Sequence, residues 1–361
     1  MSHYEERLEK DLLNIRSRVA EMGTWVEKSM ANAIRALETG DYKLASTTIL
    51  ADHPINRRMR EIDRLCHAFI AVHLPSAGHL RLLSAVIRVN IALERIGDYA
   101  VTISRVSQQL SSVPEGHMAI ELARIANEAM VMLHQAISAF NNLNPEAARA
   151  TMVMEKEMEF DLDAIYAELM ANSEREKVKG MLAVFIIFTH LKRVADQAKN
   201  LCEDTVFAAT GETKAPKVYN ILFVDEDNSC LSQIAEAVAA KTFPGSGKYS
   251  SSGLHPADAL HPTMVEFMQA HGFDMDNAAP KPLNLTHHEL AEKHVIVSLD
   301  GRVKDYLPVV PFHTTCTVWD IDAPPPGERA NLTTEQLETI YRQIATEVSD
   351  LIHTLRGDDA P

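Results

Sequence analysis

The stretch LERIGDYAVTI, residues 93–103, combines a helical apolar repeat with two acidic residues one turn apart. Its apolar residues Leu93, Ile96, Ala100 and Ile103 follow each other in steps of three and four, which predicts a helix with one buried face. Glu94 and Asp98 fall off that face. Because carboxylates at i and i+4 repel each other, the pair belongs either to a solvated helix edge or to half of a cation site.

The same spacing of apolar residues continues through residues 4–210. The segments TGDY, HLPSAG, SSVPEG, NNLNPE and ANSERE interrupt it and separate six long helices. Three helices precede residue 110, and three more are predicted at about 116–142, 146–171 and 175–209. Two similar units in tandem indicate an internal duplication, with three-helix repeats at 1–110 and 111–212. Short connections between long helices predict an antiparallel, all-α six-helix bundle.

The pattern changes at about residues 211–217. The run VYNILFVD, residues 218–225, has the length and composition of a buried strand, and the helical pattern SQIAEAVAAKTF follows it. Further strands are predicted at KYSSSG, KHVIVSLD and TCTVWDI, with helices at HPTMVEFMQAHG and 333–355. Strands that alternate with helices indicate a parallel α/β sheet, here over residues 217–357.

The formal net charge of −15 is concentrated in the second part of the chain. Residues 215–361 contain 10 Lys and Arg against 21 Asp and Glu, a net charge of −11. Since no basic stripe is evident in either part, neither nucleic acid nor an anionic membrane is an expected partner. The longest apolar run, GMLAVFIIFTHL, is too short for a membrane span.

The cysteines and the first residues bear on the compartment. The four cysteines are far apart and form no CxxC pair, which argues against a disulfide framework or a thiolate zinc site (Cys66, Cys202, Cys230, Cys316). The charged start MSHYEERLEK lacks the apolar region of a secretory signal. We therefore expect a cytoplasmic protein.

The acidic motif has a counterpart in the second repeat. LKRVADQAKNL, residues 191–201, takes the place of LERIGDYAVTI, so Lys192 corresponds to Glu94 and Asp196 to Asp98. The second and fifth helices correspond in the same way. Their segments ILADHPINRRM and MVMEKEMEFDL place Asp52 against Glu155 and Asn56 against Glu159.

At these residues the chain resembles the PhoU family of phosphate-uptake regulators, which have two three-helix repeats with E(D)xxxD motifs. In that family, acidic motifs on neighbouring helices bind divalent or iron-type metal ions. The resemblance implies a first site of Glu94, Asp98 and Asp52, and a second of Asp196, Glu155 and Glu159. Hard oxygen ligands suit Mg²⁺, Ca²⁺, Mn²⁺ or iron better than a thiolate-type zinc site, but the residues do not distinguish these metals from one another or exclude zinc. At the second site, the Lys192 ammonium is itself a counter-charge for Asp196.

The stretch ILFVDEDNSCLSQIAEA, residues 221–237, resembles the phosphate-binding loop of low-molecular-weight protein tyrosine phosphatases and arsenate reductases. Residues 251–283 and 318–327 fit the same family in order. Asp225 stands where the family has its nucleophilic cysteine, and Leu231 where it has the phosphate-binding arginine. The resemblance implies a degenerate phosphate loop (Asp225, Asn228, Cys230, Leu231, Ser232). Because three acids in this loop disfavour the Cys230 thiolate, we predict a pseudo-phosphatase with no catalytic residue.

A second interpretation of ILFVDEDN stays open. Response-regulator receivers also begin with a strand followed by paired acids that hold Mg²⁺. The phosphorylated Asp, the Ser or Thr and the Lys that a receiver needs cannot be placed here, and residues 251–283 favour the phosphatase-like fold. A further interpretation of this stretch is a weak cation site at Asp225 and Asp227.

The resemblances together imply a non-enzymatic cytoplasmic regulator of phosphate uptake and phosphate-starvation signalling. Its helical part would act on the ATPase subunit of a phosphate ABC transporter and on a sensor histidine kinase. Its α/β part would serve for docking, and the chain would form a homodimer. Two alternatives remain: a phosphatase or arsenate reductase-like enzyme regulated by the helical part, and a metal-binding or metal-sensing protein.

Overall fold

The computed structural model describes residues 3–110, 112–155, 178–307 and 310–357. The chain divides into two compact units, Met1–Lys214 and Ala215–Pro361. In the described ranges, no helix combines the length and the apolar character that crossing a bilayer requires.

The first unit is helical, as the sequence predicts. Its helices are α1 (His3–Thr39), α2 (Tyr42–Val72), α3 (Ala77–Ser107), α4 (Gly116–Asn142), α5 (Pro145–Met152) and α6 (Val178–Thr210). Asp41 and Ser76 begin α2 and α3 by accepting hydrogen bonds from the backbone N–H groups of Leu44 and His79, the usual role of an N-cap. Most of the predicted fifth helix, residues 156–171, lies outside the described residues.

Helix α3 is central to this unit, because it packs against α1, α2 and α6. Its apolar positions Leu93, Ile96, Ala100 and Ile103 are at most 1% exposed, which confirms the predicted face. Gly97 lies where α2 passes closest: a Cβ there would be 3.4 Å from Ile55 Cδ1 and 3.7 Å from Asp52 Oδ1. These distances are ordinary van der Waals contacts, so Ile55 and Asp52 of α2 lie next to this turn of α3.

The second unit is an α/β domain, also as predicted. Its strands are β1 (Tyr219–Asp225), β2 (Gly247–Gly253), β3 (Val295–Ser298) and β4 (Thr315–Val318). They form a four-stranded sheet in the order β2-β1-β3-β4, and each neighbouring pair is parallel. The helices are α7 (Leu231–Thr242), α8 (Pro262–Ala270), α9 (His287–Ala291), α10 (Val303–Tyr306) and α11 (Thr334–Arg356), with a 3₁₀ helix at Pro326–Asn331.

Strand β1 is buried on both faces, as is usual for a parallel sheet covered by helices. Ile221 and Phe223 belong to the larger apolar cluster with α7 and α11, whereas Leu222 and Val224 belong to a second cluster with Tyr306. The strand ends at Asp225, which pairs with Gly253 of β2. The loop between β1 and α7 therefore lies at the carboxyl edge of the sheet, where ligands of open α/β domains bind.

Candidate functional site

The structure brings the predicted acids of the first repeat together. Burial raises the pKa of Glu94, and the negative charges of Asp98 and Asp52 raise it further. Burial and the charge of Asp98 likewise raise the pKa of Asp52, although His53, Asn56 and Arg105 oppose this. The Asn56 amide donates to Asp52 Oδ2 at 2.5 Å. The three carboxylates thus form one acidic cluster between α2 and α3 in which the repulsion is only partly compensated.

The donor chemistry of this cluster fits a hard cation. Asp52 Oδ1 is buried and has no hydrogen-bond partner among the described residues, and such an atom is costly to bury unpaired. As the side chains are placed, however, no three His, Cys, Asp or Glu residues within the described ranges are arranged to hold a metal ion. The metal at Asp52, Glu94 and Asp98 therefore stays a prediction.

The second cluster is neutralised by lysines. Glu155, 7% exposed, accepts hydrogen bonds from Lys199 Nζ at 2.7 Å and from Lys192 Nζ at 3.4 Å. Lys192 Nζ also donates to Asp196 Oδ1 at 2.6 Å. Burial raises the pKa of Glu155, but Lys199 and Lys192 outweigh it and hold that pKa below its ordinary value.

Two ammonium groups therefore provide the counter-charge that a metal would provide at this position. The sequence identified Lys192 as one of them, but it missed Lys199, which lies two turns further along α6 and reaches the same carboxylate. Glu159, the remaining predicted ligand, lies outside the described residues.

In the second unit, Asp225 is fully buried at the end of β1. Its carboxylate accepts the backbone N–H groups of Asn228 at 2.6 Å and of Ser232 at 2.9 Å. Burial raises the pKa of Asp225 to about 6, although the hydrogen bonds from Ser232 oppose the rise. N–H groups of a loop that opens a helix are the donors that would otherwise face a bound oxyanion. Asp225 takes up two of them with its own side chain.

Asn228 holds the loop in shape. Its φ of 52° lies in the left-handed region, which Asn adopts more readily than most residues. Its amide donates to Ser232 Oγ at 2.7 Å, and its Oδ1 accepts from Gln233 Nε2 at 3.0 Å and from the Lys281 N–H at 2.7 Å. These contacts cross-link the loop to α7 and to the segment after β2. The side chain of Asn228 thus fixes the shape of the loop.

Cys230 and Leu231 are both fully buried and belong to the apolar core. Burial raises the pKa of Cys230 to about 12, although Arg329 opposes the rise. A thiol with so high a pKa carries almost no thiolate at neutral pH, and the thiolate is the nucleophilic form. Cys230 is therefore a packing residue, as the sequence indicates.

The acids beside Asp225 also have polar partners within the domain. Asp227 Oδ1 accepts from the Ser229 N–H at 2.9 Å and from Ser229 Oγ at 2.8 Å. Glu226 pairs with His255 Nδ1 at 2.8 Å. Both Asp225 oxygens already bind N–H groups, so the geometry disfavours the cation site at Asp225 and Asp227.

One pair of residues at this edge was missed by sequence reasoning. Arg329 binds Asp300 through two nitrogens, with Nη1 2.8 Å from Oδ2, and its Nε donates to the Pro324 carbonyl at 2.9 Å. Both side chains are less than a tenth exposed. The position of Asp300 just after β3 could have indicated its place at this site, because the carboxyl ends of parallel strands meet at one edge of the sheet. Nothing in the sequence indicated Arg329 as its partner, since the 3₁₀ helix that carries Arg329 is distant from Asp300 along the chain.

Comparison with known proteins supports a division into two kinds of domain. Residues 19–107 and 122–205 match the PhoU domain family. Residues 220–360 match the low molecular weight phosphotyrosine protein phosphatase family. The chain thus consists of a helical PhoU region followed by a domain of low-molecular-weight phosphatase type.

The phosphate-specific transport system accessory protein PhoU of Serratia marcescens is 28% identical over 212 residues, which are 58% of this chain and 87% of that protein. The crystal structure of PhoU from Pseudomonas aeruginosa matches with a TM-score of 0.55 and 28% identity, over 56% of this chain and 99% of that one. An arsenate reductase in its phosphate-binding state matches with a TM-score of 0.33 and 26% identity, over 38% of this chain and 99% of that one.

Proposed function

We propose that this protein is a non-enzymatic regulator of phosphate uptake and phosphate-starvation signalling in the cytoplasm. In this proposal the helical part acts on the ATPase subunit of a phosphate ABC transporter and on its sensor histidine kinase, and the chain works as a homodimer. The match of residues 19–107 and 122–205 to the PhoU domain family, and the similarity of 212 residues of this chain to an accessory protein of a phosphate-specific transport system, support this assignment.

The α/β domain acts in this proposal as a pseudo-phosphatase that docks rather than catalyses. The observation that carries this point is Asp225 at the base of the loop. A covalent phosphoenzyme on cysteine needs a low-pKa sulfur and a cation at the loop. Here the base of the loop is a carboxylate, Cys230 is buried with a raised pKa, and the arginine position is the buried Leu231.

Turnover of p-nitrophenyl phosphate and reduction of arsenate test this part. We expect wild type and Cys230→Ser to show the same background rate in both assays. A rate that disappears in Cys230→Ser would instead support the enzymatic alternative. Cys316→Ser is the matched control, because Cys316 is exposed and lies away from the loop in β4.

The regulatory role is tested in a deletion strain that carries a phosphate-starvation reporter. We expect the full chain, and also its Cys230→Ser variant, to restore repression of the reporter at high phosphate. Failure of the folded wild-type chain to repress would contradict the proposal.

The acidic cluster favours a second candidate function, metal binding or sensing, because Asp52 Oδ1 is buried and no described residue forms a hydrogen bond with it. Elemental analysis of purified wild type and of Glu94→Ala/Asp98→Ala tests it, with Glu5→Ala/Glu9→Ala as a control pair of exposed acids at the same spacing. We expect metal content to fall only in the first double variant. Equal content in all three proteins would exclude a metal at this cluster.

A further inference from the structure

Helix α2 carries a single exposed row of basic residues. The row consists of His53, Arg57, Arg60, Arg64 and His67, all of which are exposed. Their steps of four, three, four and three place them on one side of the helix. In the linear sequence two acids, Glu61 and Asp63, stand between Arg60 and Arg64, and the helix turns these acids away from the row.

The three arginines of the row differ from Arg58 in their contacts with the described part of the chain. Arg58, on the inner side of the same helix, binds Glu21 and Glu61 and lies 4.7 Å from the centre of the Trp25 ring. Among the described residues, Arg57, Arg60 and Arg64 form no such ion pair. Three exposed guanidinium groups in a chain of net charge −15 are thus available for an external partner.

Acidic residues on both sides keep the row narrow. Glu61 and Asp63 project about 80° to either side of it, as the helical rotation of about 100° per residue requires. Glu61 binds Arg18 at 2.9 Å, and Asp63 accepts from the Asn90 amide at 2.9 Å, so both carboxylates are held in place. An anionic ligand that is broader than one helix would meet these two acids as well as the arginines.

We infer that this row, which we call the α2 row, is a docking surface for an acidic helix of a partner protein. From residue 53 to residue 67 it is about 21 Å long at 1.5 Å per residue, which matches three to four turns of a helix laid alongside it. All its permanent cations are arginines, whose planar guanidinium binds a carboxylate with two hydrogen bonds. Carboxylates spaced three and four apart on the partner would face them in register.

A membrane fits this surface less well. A flat anionic bilayer attracts lysine as well as arginine and would also approach the flanking acids within a Debye length of about 8 Å. A nucleic acid would need more phosphates neutralised than three arginines provide. The exposed arginines of α2 define this surface whether or not the protein acts in phosphate signalling.

The test uses the full-length protein and a fluorescent helical peptide of about 20 residues, with glutamates at three- and four-residue spacing. An isomeric peptide has the same composition but its glutamates distributed around the helix. The charge-reversed variant R57E/R60E/R64E removes the row, and R35E/R193E/R342E makes the same change of charge at exposed positions of α1, α6 and α11. Circular dichroism verifies that both variants are folded, and flotation with phosphatidylethanolamine–phosphatidylglycerol vesicles serves as the membrane arm.

We expect the wild type to bind the first peptide more tightly than its isomer and to lose affinity as salt is added. The row variant should lose about tenfold or more in affinity, and the control variant much less. Equal losses in the two variants, equal binding of both peptides, or no binding of the first peptide would overturn the inference. Row-dependent binding to the vesicles without binding to the peptide would also overturn it, in favour of a membrane.

Discussion

Arg329 and Asp300 form a buried, two-point ion pair at the carboxyl edge of the sheet, with Arg329 Nη1 2.8 Å from Asp300 Oδ2. Asp300 Oδ2 also accepts the Glu226 N–H of the loop at 3.3 Å. The guanidinium is therefore connected to the loop through a carboxylate instead of facing an anion directly. This relationship explains how the loop keeps its shape beside several acids.

Removal of one partner from this pair should destabilise the protein strongly. Arg329→Ala leaves the Asp300 carboxylate buried without its counter-charge, which typically costs about 3–5 kcal/mol. Urea unfolding of the full chain measures the change. Arg302→Ala is the matched control, since Arg302 pairs with Asp305 and both side chains are more than half exposed, and it should cost about 0–1 kcal/mol. Similar losses in the two variants would contradict a structural role for the buried pair.

The buried carboxyl of Asp225 predicts a dependence of stability on pH. Its folded pKa, about 6, lies above the ordinary value near 3.9, so the folded protein binds the proton more tightly than the unfolded chain. The stabilisation is complete below the unfolded pKa and is lost as the pH rises through about 6, by about 3 kcal/mol in total.

Urea unfolding at several pH values from about 4 to 7 measures this, with Asp225→Asn as the comparison. We expect the variant to be less sensitive to pH across this range than the wild type. Asp258→Asn, an exposed acid after β2, should behave as the wild type. Parallel curves for the wild type and Asp225→Asn would show that the Asp225 proton does not contribute.

In the second repeat, Lys192→Glu should replace an internal cation by a third acid. The substitution breaks the contacts to Asp196 and Glu155 and adds repulsion, at a cost of about 2 kcal/mol or more for this largely buried group. If Lys192 substitutes for a metal ion, Mn²⁺ or Mg²⁺ should restore part of the melting temperature of this variant and have less effect on the wild type. Lys214→Glu serves as the control, because Lys214 is exposed and pairs with the partly buried Glu203. Absence of any metal-dependent recovery specific to Lys192→Glu would contradict this view of the cluster.

Gly253→Ala should distort the loop from the side of β2. A Cβ at this position would lie 2.7 Å from the backbone nitrogen of Asn228 and 2.7 Å from the carbonyl carbon of Asp227, and backbone atoms move less readily than side chains. We expect a loss of about 2–3 kcal/mol, as for overpacking of a well-filled site. Gly327→Ala is the control, because no atom outside its chain neighbours lies within 4 Å of its added Cβ. A well-tolerated Gly253→Ala would mean that the loop can shift as a unit.

The sequence predicted the α/β elements because their patterns are local. A near-continuous apolar run predicted β1, and the apolar spacing after it predicted α7. The helical steps of Leu93, Ile96, Ala100 and Ile103 predicted the buried face of α3 for the same reason. The periodicity of apolar residues depends only on which side of an element is buried, so a single chain segment contains all the information that predicts it.

The candidate sites were predicted less completely, because they join segments that are distant in the sequence. The duplication aligned Lys192 with Glu94, and so indicated a counter-charge in the second repeat. Lys199 reaches the same Glu155 from two turns further along α6, but the alignment did not single it out. In the α2 row, two acids stand between Arg60 and Arg64 in the sequence, and only the helix separates them onto different sides from the arginines.

The amino-acid sequence by itself determined the two kinds of domain and their order, and it predicts Asp225 and Leu231 at the positions where the resembled family has cysteine and arginine. Only the tertiary structure decided what those replacements do. It turned the Asp225 carboxylate onto the N–H groups of Asn228 and Ser232, and it brought Arg329 to Asp300 from 29 residues further along the chain. Hydrogen bonds and ion pairs act over a few ångströms in space, so their partners are fixed by packing and not by position along the chain.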